Sequence, residues 1–412
     1  MNPPSTPRND GPGERWLNRN VIGMTLTSFL SDLGHEMATS ILPAFLAMLG
    51  APPAALGAIE GIADATSSFV KLGTGWMSDR LGHRKAITVG GYALTGASQA
   101  IFAFANGWGL VLLGRVVGWF GRGIKGPLRS AMMVDSVPAS GRGKAIGFHR
   151  AGDTLGAVVG PLLAVVLLPL LHARFTGDDS RAFRSVFLLT AIPGLGAAAV
   201  FALVVRERRR APNHTLRFWA AVSAMPSRLR RAMLGIGLFG CGDFSHTLII
   251  LAAIQLLTPT LGTVRASAVA GLLYVLHNGA YALSPFPAGA MSDRIGSRSL
   301  LAVAYLLGAA VSVALGLMLT HHVNGWLPLA VVFALAGIML GIKDTLEDAI
   351  VADFAEVELR GTSYGVLGAV NGTGDLVSSV LVGALWTIHP LWGFGYAGAA
   401  MALGAVVVFR VR

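Results

Sequence analysis

Asp32, His35 and Glu36 sit within one helical turn of each other in an otherwise apolar stretch. Spacings of three and four put all three on one face of a helix. In such a setting carboxylates and histidines can take up and release protons near neutrality. Asp243 and His246 repeat the Asp and His further along. The same groups could instead tie helices together by hydrogen bonds. Asp32, His35, Asp243 and His246, with Met37 nearby, also offer O, N and S donors that suit a divalent transition metal. Arg115, Arg122 and Arg129 are heptad-spaced with Lys125 beside them, which makes one basic stripe. Asp344, Glu347 and Asp348 form its acidic counterpart. Glu60 and Asp64 stack at i, i+4, as a proton entry or a wet rim. His149, Arg150 and Asp153 adjoin one another, and His277 reads as a hydrogen-bonded core residue.

The surroundings make these charges costly. Of 412 residues, 53% are hydrophobic and only 13% charged, against about 25% in a typical soluble domain. Mean hydropathy is +0.63. This composition excludes a disordered chain and a soluble globular enzyme and indicates an integral membrane protein. A charge at mid-bilayer costs about 2.5–3.5 kcal/mol on insertion scales, so each needs a cavity, a partner or a task. One cysteine, Cys241, excludes a disulfide framework and a cysteine-based metal site. No nucleophile elbow, phosphate-binding P-loop or HExxH pattern occurs, so neither an enzyme nor a cofactor is expected. The polar stretch Met1 to Asn20 reads as a cytoplasmic tail, not a cleavable signal.

Twelve segments have the length and apolarity of membrane helices: 20–48, 54–78, 85–106, 108–136, 144–170, 182–205, 232–258, 265–290, 299–320, 326–354, 362–387 and 391–410. Lys and Arg in the short loops set the orientation. Twenty-one of them fall on the side of the two termini and four (Arg174, Arg181, Arg184, Arg265) on the other. Both termini are therefore expected in the cytoplasm. The net charge of +11 follows from this bias and calls for no nucleic acid. The expected organisation is a tail over 1–19, a bundle over 20–205, a basic linker over 206–231 lying on anionic lipid, and a second bundle over 232–412.

The two halves repeat. Gly75-Trp76-Met77-Ser78-Asp79-Arg80-Leu81-Gly82-His83-Arg84 recurs as Gly289-Ala290-Met291-Ser292-Asp293-Arg294-Ile295-Gly296-Ser297-Arg298. Gly123-Ile124-Lys125 recurs as Gly341-Ile342-Lys343, and Asp135 matches Asp353. Two six-helix bundles in parallel repeat follow, with a site at their interface near the bilayer midplane.

The stretch Gly75 to Lys85 resembles the loop signature G-x-x-x-D-R-x-G-x-R-[RK] of the major facilitator superfamily. Gly147, Gly156, Gly160 and Pro161 are similar to the fifth-helix motif of that family's antiporter branch, although Ala164-Val165 replaces its usual glycine pair. Arg115 stands where the family often has a fourth-helix arginine, without the Gln-Gly that usually follows.

The resemblance implies that spans one, four, seven and ten line a central cavity. It implies that Asp79, Arg80 and Arg84, with Asp135, form a latch on the cytoplasmic side. Lys125 and Arg129 are expected to meet Asp344, Glu347 and Asp348 when that side closes; the alternative is pairing within each bundle. The expected function is secondary transport at the bacterial inner membrane, as proton-coupled efflux of a small molecule by a monomer. Asp32, His35, Glu36, Asp243, His246, Arg115 and Arg122 would carry proton and substrate. Export of a divalent metal cation, and symport or import of an organic solute, are the alternatives.

Overall fold

The computed structural model describes residues 16–81, 84–138, 141–207, 225–354 and 360–411. Among these every regular element is a helix. The first half contains α1 (Arg19–Met48), α2 (Pro53–Leu81), α3 (Lys85–Phe102), α4 (Trp108–Asp135), α5 (Arg142–Arg174) and α6 (Asp179–Val204). The second contains α7 (Ser227–Gly240), α8 (His246–Leu261), α9 (Thr263–Leu283), α10 (Pro285–Ile295), α11 (Ser297–Thr320), α12 (Trp326–Phe354), α13 (Arg360–Ile388) and α14 (Pro390–Phe409). The pair α7–α8 is one crossing interrupted midway, and so is α9–α10. Among the described residues the helices thus make twelve crossings, six in each half. The side chains of Asp79, Arg80 and Asp293, and linker residues 208–224, lie outside the described residues.

Among the described residues, seven helical stretches, Lys144–Arg174 and Ser297–Thr320 among them, are long and apolar enough to cross a membrane on length and composition alone. α1, α2 and α4 carry several ionisable groups each, which makes them less apolar. The 30 residues of α1 extend about 45 Å at 1.5 Å per residue. Asn18 starts α1 by accepting hydrogen bonds from the N–H groups of Asn20 and Val21, at 3.0 and 3.1 Å. From Gly34 to Leu46 every residue of α1 except Glu36 is buried, which marks this half of the helix as the centre of the molecule.

The seventh crossing breaks where the first runs through. Gly242 lies so close to α14 that a Cβ there would stand 2.4 Å from the carbonyl oxygen of Ala397. The backbone groups freed by the break find partners on α13. Ser378 Oγ donates to the Asp243 carbonyl at 2.8 Å, and Ser379 Oγ accepts from the Ser245 N–H at 3.1 Å. A break in lipid requires such substitutes.

The ends of α1, α6 and α14 and the loops α2–α3, α4–α5 and α10–α11 share one side, here the terminal side. Asn20 bonds Arg206 there, and Asn18 bonds Ser136. The halves meet along α2–α13 and α5–α9, while α8 packs on α1 and α2. At Gly57 of α2 a Cβ would lie 2.1 Å from the Ser379 carbonyl oxygen, so glycine permits this contact. One large apolar core spans both halves. From the first half it takes only residues remote from the terminal side: Met37 to Leu46, Leu56, Ile59, Phe102, Val111, Leu168 and Phe183 to Phe187. On the terminal side the first half has its own core around Met24, Tyr92, Met132 and Phe201. The second has another around Leu229, Met233, Ile236 and Leu367. The bundles are fused on the far side and parted on the terminal side.

Candidate functional site

Two glycines set the height of the central carboxylates. A Cβ on Gly156 would come within 2.5 Å of the Phe29 carbonyl oxygen and 3.3 Å of Asp32 Cβ. On Gly160 it would come within 2.5 Å of the Leu33 carbonyl oxygen and 3.2 Å of Glu36 Cβ. α5 therefore lies flush against α1 directly behind Asp32 and Glu36, with Pro161 buried just beyond. Gly147 differs from its expected packing role. A Cβ there would meet nothing within 4 Å, because this first stretch of α5 is exposed.

Asp32 accepts from Arg122 at 2.5 Å, and each side chain keeps about a fifth of its surface exposed (20% and 21%). The Arg122 guanidinium lies 4.9 Å from the Trp119 ring. Two turns deeper, Arg115 grips Glu60 with two hydrogen bonds of 3.0 Å and Thr39 with one of 3.1 Å. Both charged groups are almost wholly buried, so Glu60 is not part of a wet rim. His35 packs edge-on against Trp119, with ring centres 5.2 Å apart.

Glu36 reaches across the interface between the bundles. Tyr274 of α9 donates its phenolic hydrogen to Glu36 at 2.8 Å. The rings of Tyr274, His246 and His277 form a triangle of roughly parallel rings, with Tyr274 5.1 Å from His246 and 5.7 Å from His277, and the two histidines 6.3 Å apart. His277 Nδ1 is 3.2 Å from the Phe333 carbonyl oxygen, the place of a hydrogen-bonded core residue. In the second half Asp243 pairs with Lys343 at 2.7 Å. Lys343 also meets Asp344 at 3.4 Å, and Tyr281 donates to Asp344 at 3.1 Å.

The basic stripe of α4 and the acids of α12 are not in contact. Lys125 bonds Ser31 and lies 4.3 Å from the Tyr92 ring. Arg129 donates to Ser28 at 2.6 Å and stands 4.0 Å from Asp153. His149 shares Ser28 at 2.7 Å and meets Asp153 at 3.5 Å. Glu347 is buried inside its own bundle, where it accepts from Tyr305 at 2.7 Å and Asn371 at 2.8 Å. It does not face α4, because its position on α12 turns it toward α11 and α13. Asp344 is half-exposed and Asp348 exposed. On the terminal side Arg84 pairs with Asp135 at 3.0 Å. Glu207 accepts from the backbone N–H groups of Arg84 and Lys85 at the start of α3. Among the described residues no group of three or more His, Cys, Asp or Glu could hold a metal ion. Asp32, His35, Asp243 and His246 form no such group, and both carboxylates are taken, Asp32 by Arg122 and Asp243 by Lys343.

Sequence reasoning passed over Trp119, Tyr274 and Glu207. Tyr274 stands three positions before His277 and so shares its helix face. That is a readable signal for a polar face on an otherwise apolar helix.

A family model of the Major Facilitator Superfamily matches residues 24–264 and 234–412. The chain belongs to this superfamily, is an integral membrane transporter and is not an enzyme. It is 28% identical to an uncharacterised MFS-type transporter of Methanocaldococcus jannaschii over 96% of each chain. Over 156 residues, 38% of this chain and 40% of the relative, it is 24% identical to the quinolone resistance protein NorA of Staphylococcus aureus. Its fold is similar to that of a mutant of the nucleoside transporter NupG, with a TM-score of 0.76 at 11% identity, covering 95% and 98% of the two chains. It is also similar to an inward-facing bacterial homolog of the human lysosomal transporter Spinster, with a TM-score of 0.68 at 15% identity, covering 97% and 94%.

Proposed function

We propose that the protein exports a small organic molecule in exchange for protons, by alternating access across a bacterial inner membrane. It would act as a monomer with both termini in the cytoplasm. The observation that carries this reading is the hydrogen bond from Tyr274 to Glu36. It joins a carboxylate of one bundle, which in this reading is the proton-binding group, to a donor of the other at the edge of the apolar seal. Protonating Glu36 removes the charge that Tyr274 serves and weakens the tie between the bundles. Charge-assisted hydrogen bonds are roughly twice as strong as neutral ones. A proton thereby acquires different affinities for the two arrangements, which any coupled shift requires. Asp32, one turn away on the same face, is held by Arg122 and would serve as the second titrating group.

Export is supported by the partial similarity to NorA and by the fifth-helix glycines. The closed form on the terminal side would pair Lys125 and Arg129 with Asp344 and Asp348, the acids of α12 that remain accessible. Asp79, Arg80, Arg84 and Asp135 would form its latch.

The test is substrate-driven proton movement in proteoliposomes. Glu36→Gln is expected to abolish proton movement while leaving substrate exchange, and Asp32→Asn to reduce it. Unchanged coupling in both variants would remove these residues from the role. Proton movement in the same direction as the solute would make the protein a symporter.

A further inference from the structure

Four buried side-chain nitrogens have no hydrogen-bond partner within the protein among the described residues. Arg129 Nε and His172 Nδ1 belong to side chains that face Asp153 and Asp179; the other two, one from each bundle, are Trp119 Nε1 of α4 and His246 Nε2 of α8. Buried polar groups are nearly always paired, so each such group calls for an explanation. Both flank the same turn of α1. Trp119 packs on His35. His246 stacks on Tyr274, which bonds Glu36. An indole N–H can only donate, whereas a histidine nitrogen serves as donor or acceptor according to its tautomer. The group that completes Trp119 must therefore be an acceptor.

The charges nearby decide what kind of acceptor. Arg115 is neutralised by Glu60 with two hydrogen bonds, and Arg122 by Asp32. Neither guanidinium stands without a counter-charge. An added carboxylate would itself be the unpaired buried charge, beside Asp32 and Glu36, and an unpaired buried charge costs several kcal/mol. A carbonyl oxygen needs only the N–H. The neighbouring surfaces are the rings of Trp119, His35, Tyr274 and His246, which favour a planar apolar body packed edge-on or stacked.

We infer that the transported molecule is an uncharged aromatic compound whose carbonyl oxygen accepts the Trp119 N–H, with His246 engaging it from the opposite bundle. This rests on the central site being the transport path, and not on proton coupling or direction. Contact with Trp119 on one bundle and His246 on the other lets one small molecule sense the relative position of both.

The test uses three tritiated probes of one ring system on purified protein in nanodiscs, with empty nanodiscs subtracted: 2-acetylnaphthalene, 2-ethylnaphthalene and 2-naphthoate. The acetyl compound is expected to bind roughly five- to tenfold more tightly than the ethyl compound, the worth of one hydrogen bond, and more tightly than the naphthoate. Trp119→Phe keeps a ring and removes the donor, and is expected to erase the preference for acetyl over ethyl. Equal binding of acetyl and ethyl by the unaltered protein, binding of none of the three, tightest binding of the naphthoate, or a preference that survives in Trp119→Phe would each overturn the inference. Binding is read without a proton gradient, so its failure leaves the coupling role of Glu36 standing. Unchanged coupling in Glu36→Gln would equally leave the binding result untouched.

Discussion

Arg115 and Glu60 show how a buried ion pair can be tolerated at mid-membrane. Two parallel hydrogen bonds and a third to Thr39 occupy the guanidinium, and almost none of either group meets solvent. Removing one partner leaves the other charged and alone, at about 3–5 kcal/mol. Glu60→Gln is therefore expected to lower the thermal unfolding temperature of the purified protein sharply, and Arg115→Met with Glu60→Met to recover most of the loss. Tyr274→Phe tests a different link. Losing a hydrogen bond to a charged acceptor costs about 1.5–3 kcal/mol, all of it from the arrangement in which the far side is sealed. In a Cys241→Ser background carrying Leu46→Cys, an impermeant maleimide should then label the buried far-side position roughly ten- to a hundredfold faster. An unchanged rate would show that this bond does not hold the seal.

The helices explain why the site could be read only in part from sequence. Periodicity put Asp32, His35 and Glu36 on one face and set Arg115, Arg122 and Arg129 in a stripe, because both follow from residues per turn. It could not say which carboxylate each arginine takes. That depends on the register between helices: Arg122 falls opposite Asp32 because α1 and α4 are held at one height by α5 and α3. The repeat would place Lys125 on Asp32, as Lys343 lies on Asp243, yet Arg122 fills that position and Lys125 turns to Ser31. The break in the seventh crossing was hidden for a similar reason, since glycines serve close packing and helix interruption alike. The glycines of α5 make this testable. Gly160→Val forces α5 off α1 and should cost about 1–3 kcal/mol of stability and most transport. Gly147→Ala meets open space and should be neutral or stabilising by up to about 1 kcal/mol. Equal losses in thermal stability for the two would contradict the packing described.

For the molecule as a whole, composition, positive-inside bias and the repeated loop motif made the two-bundle architecture legible. They did not show which side is closed, because that is one of two packings of the same halves. The closed form of the terminal side sets up a specific exchange. Arg129→Glu should impair transport, and Asp344→Arg or Asp348→Arg should restore part of it. Glu347→Arg should not, because Glu347 is enclosed by Tyr305 and Asn371. Rescue by Glu347→Arg alone would mean that α12 rotates during the cycle.

The core shared by the two bundles has a kinetic meaning. Opening the far side must bring water to Leu46, Leu56, Ile59 and the flank of α8, all of which lie dry in a common oily plug. Wetting such a surface changes heat capacity strongly. The turnover rate should therefore bend away from a straight line when its logarithm is plotted against reciprocal temperature. A polar residue at Leu56, which eases hydration, should flatten that bend and speed the cycle while loosening its tightness to protons.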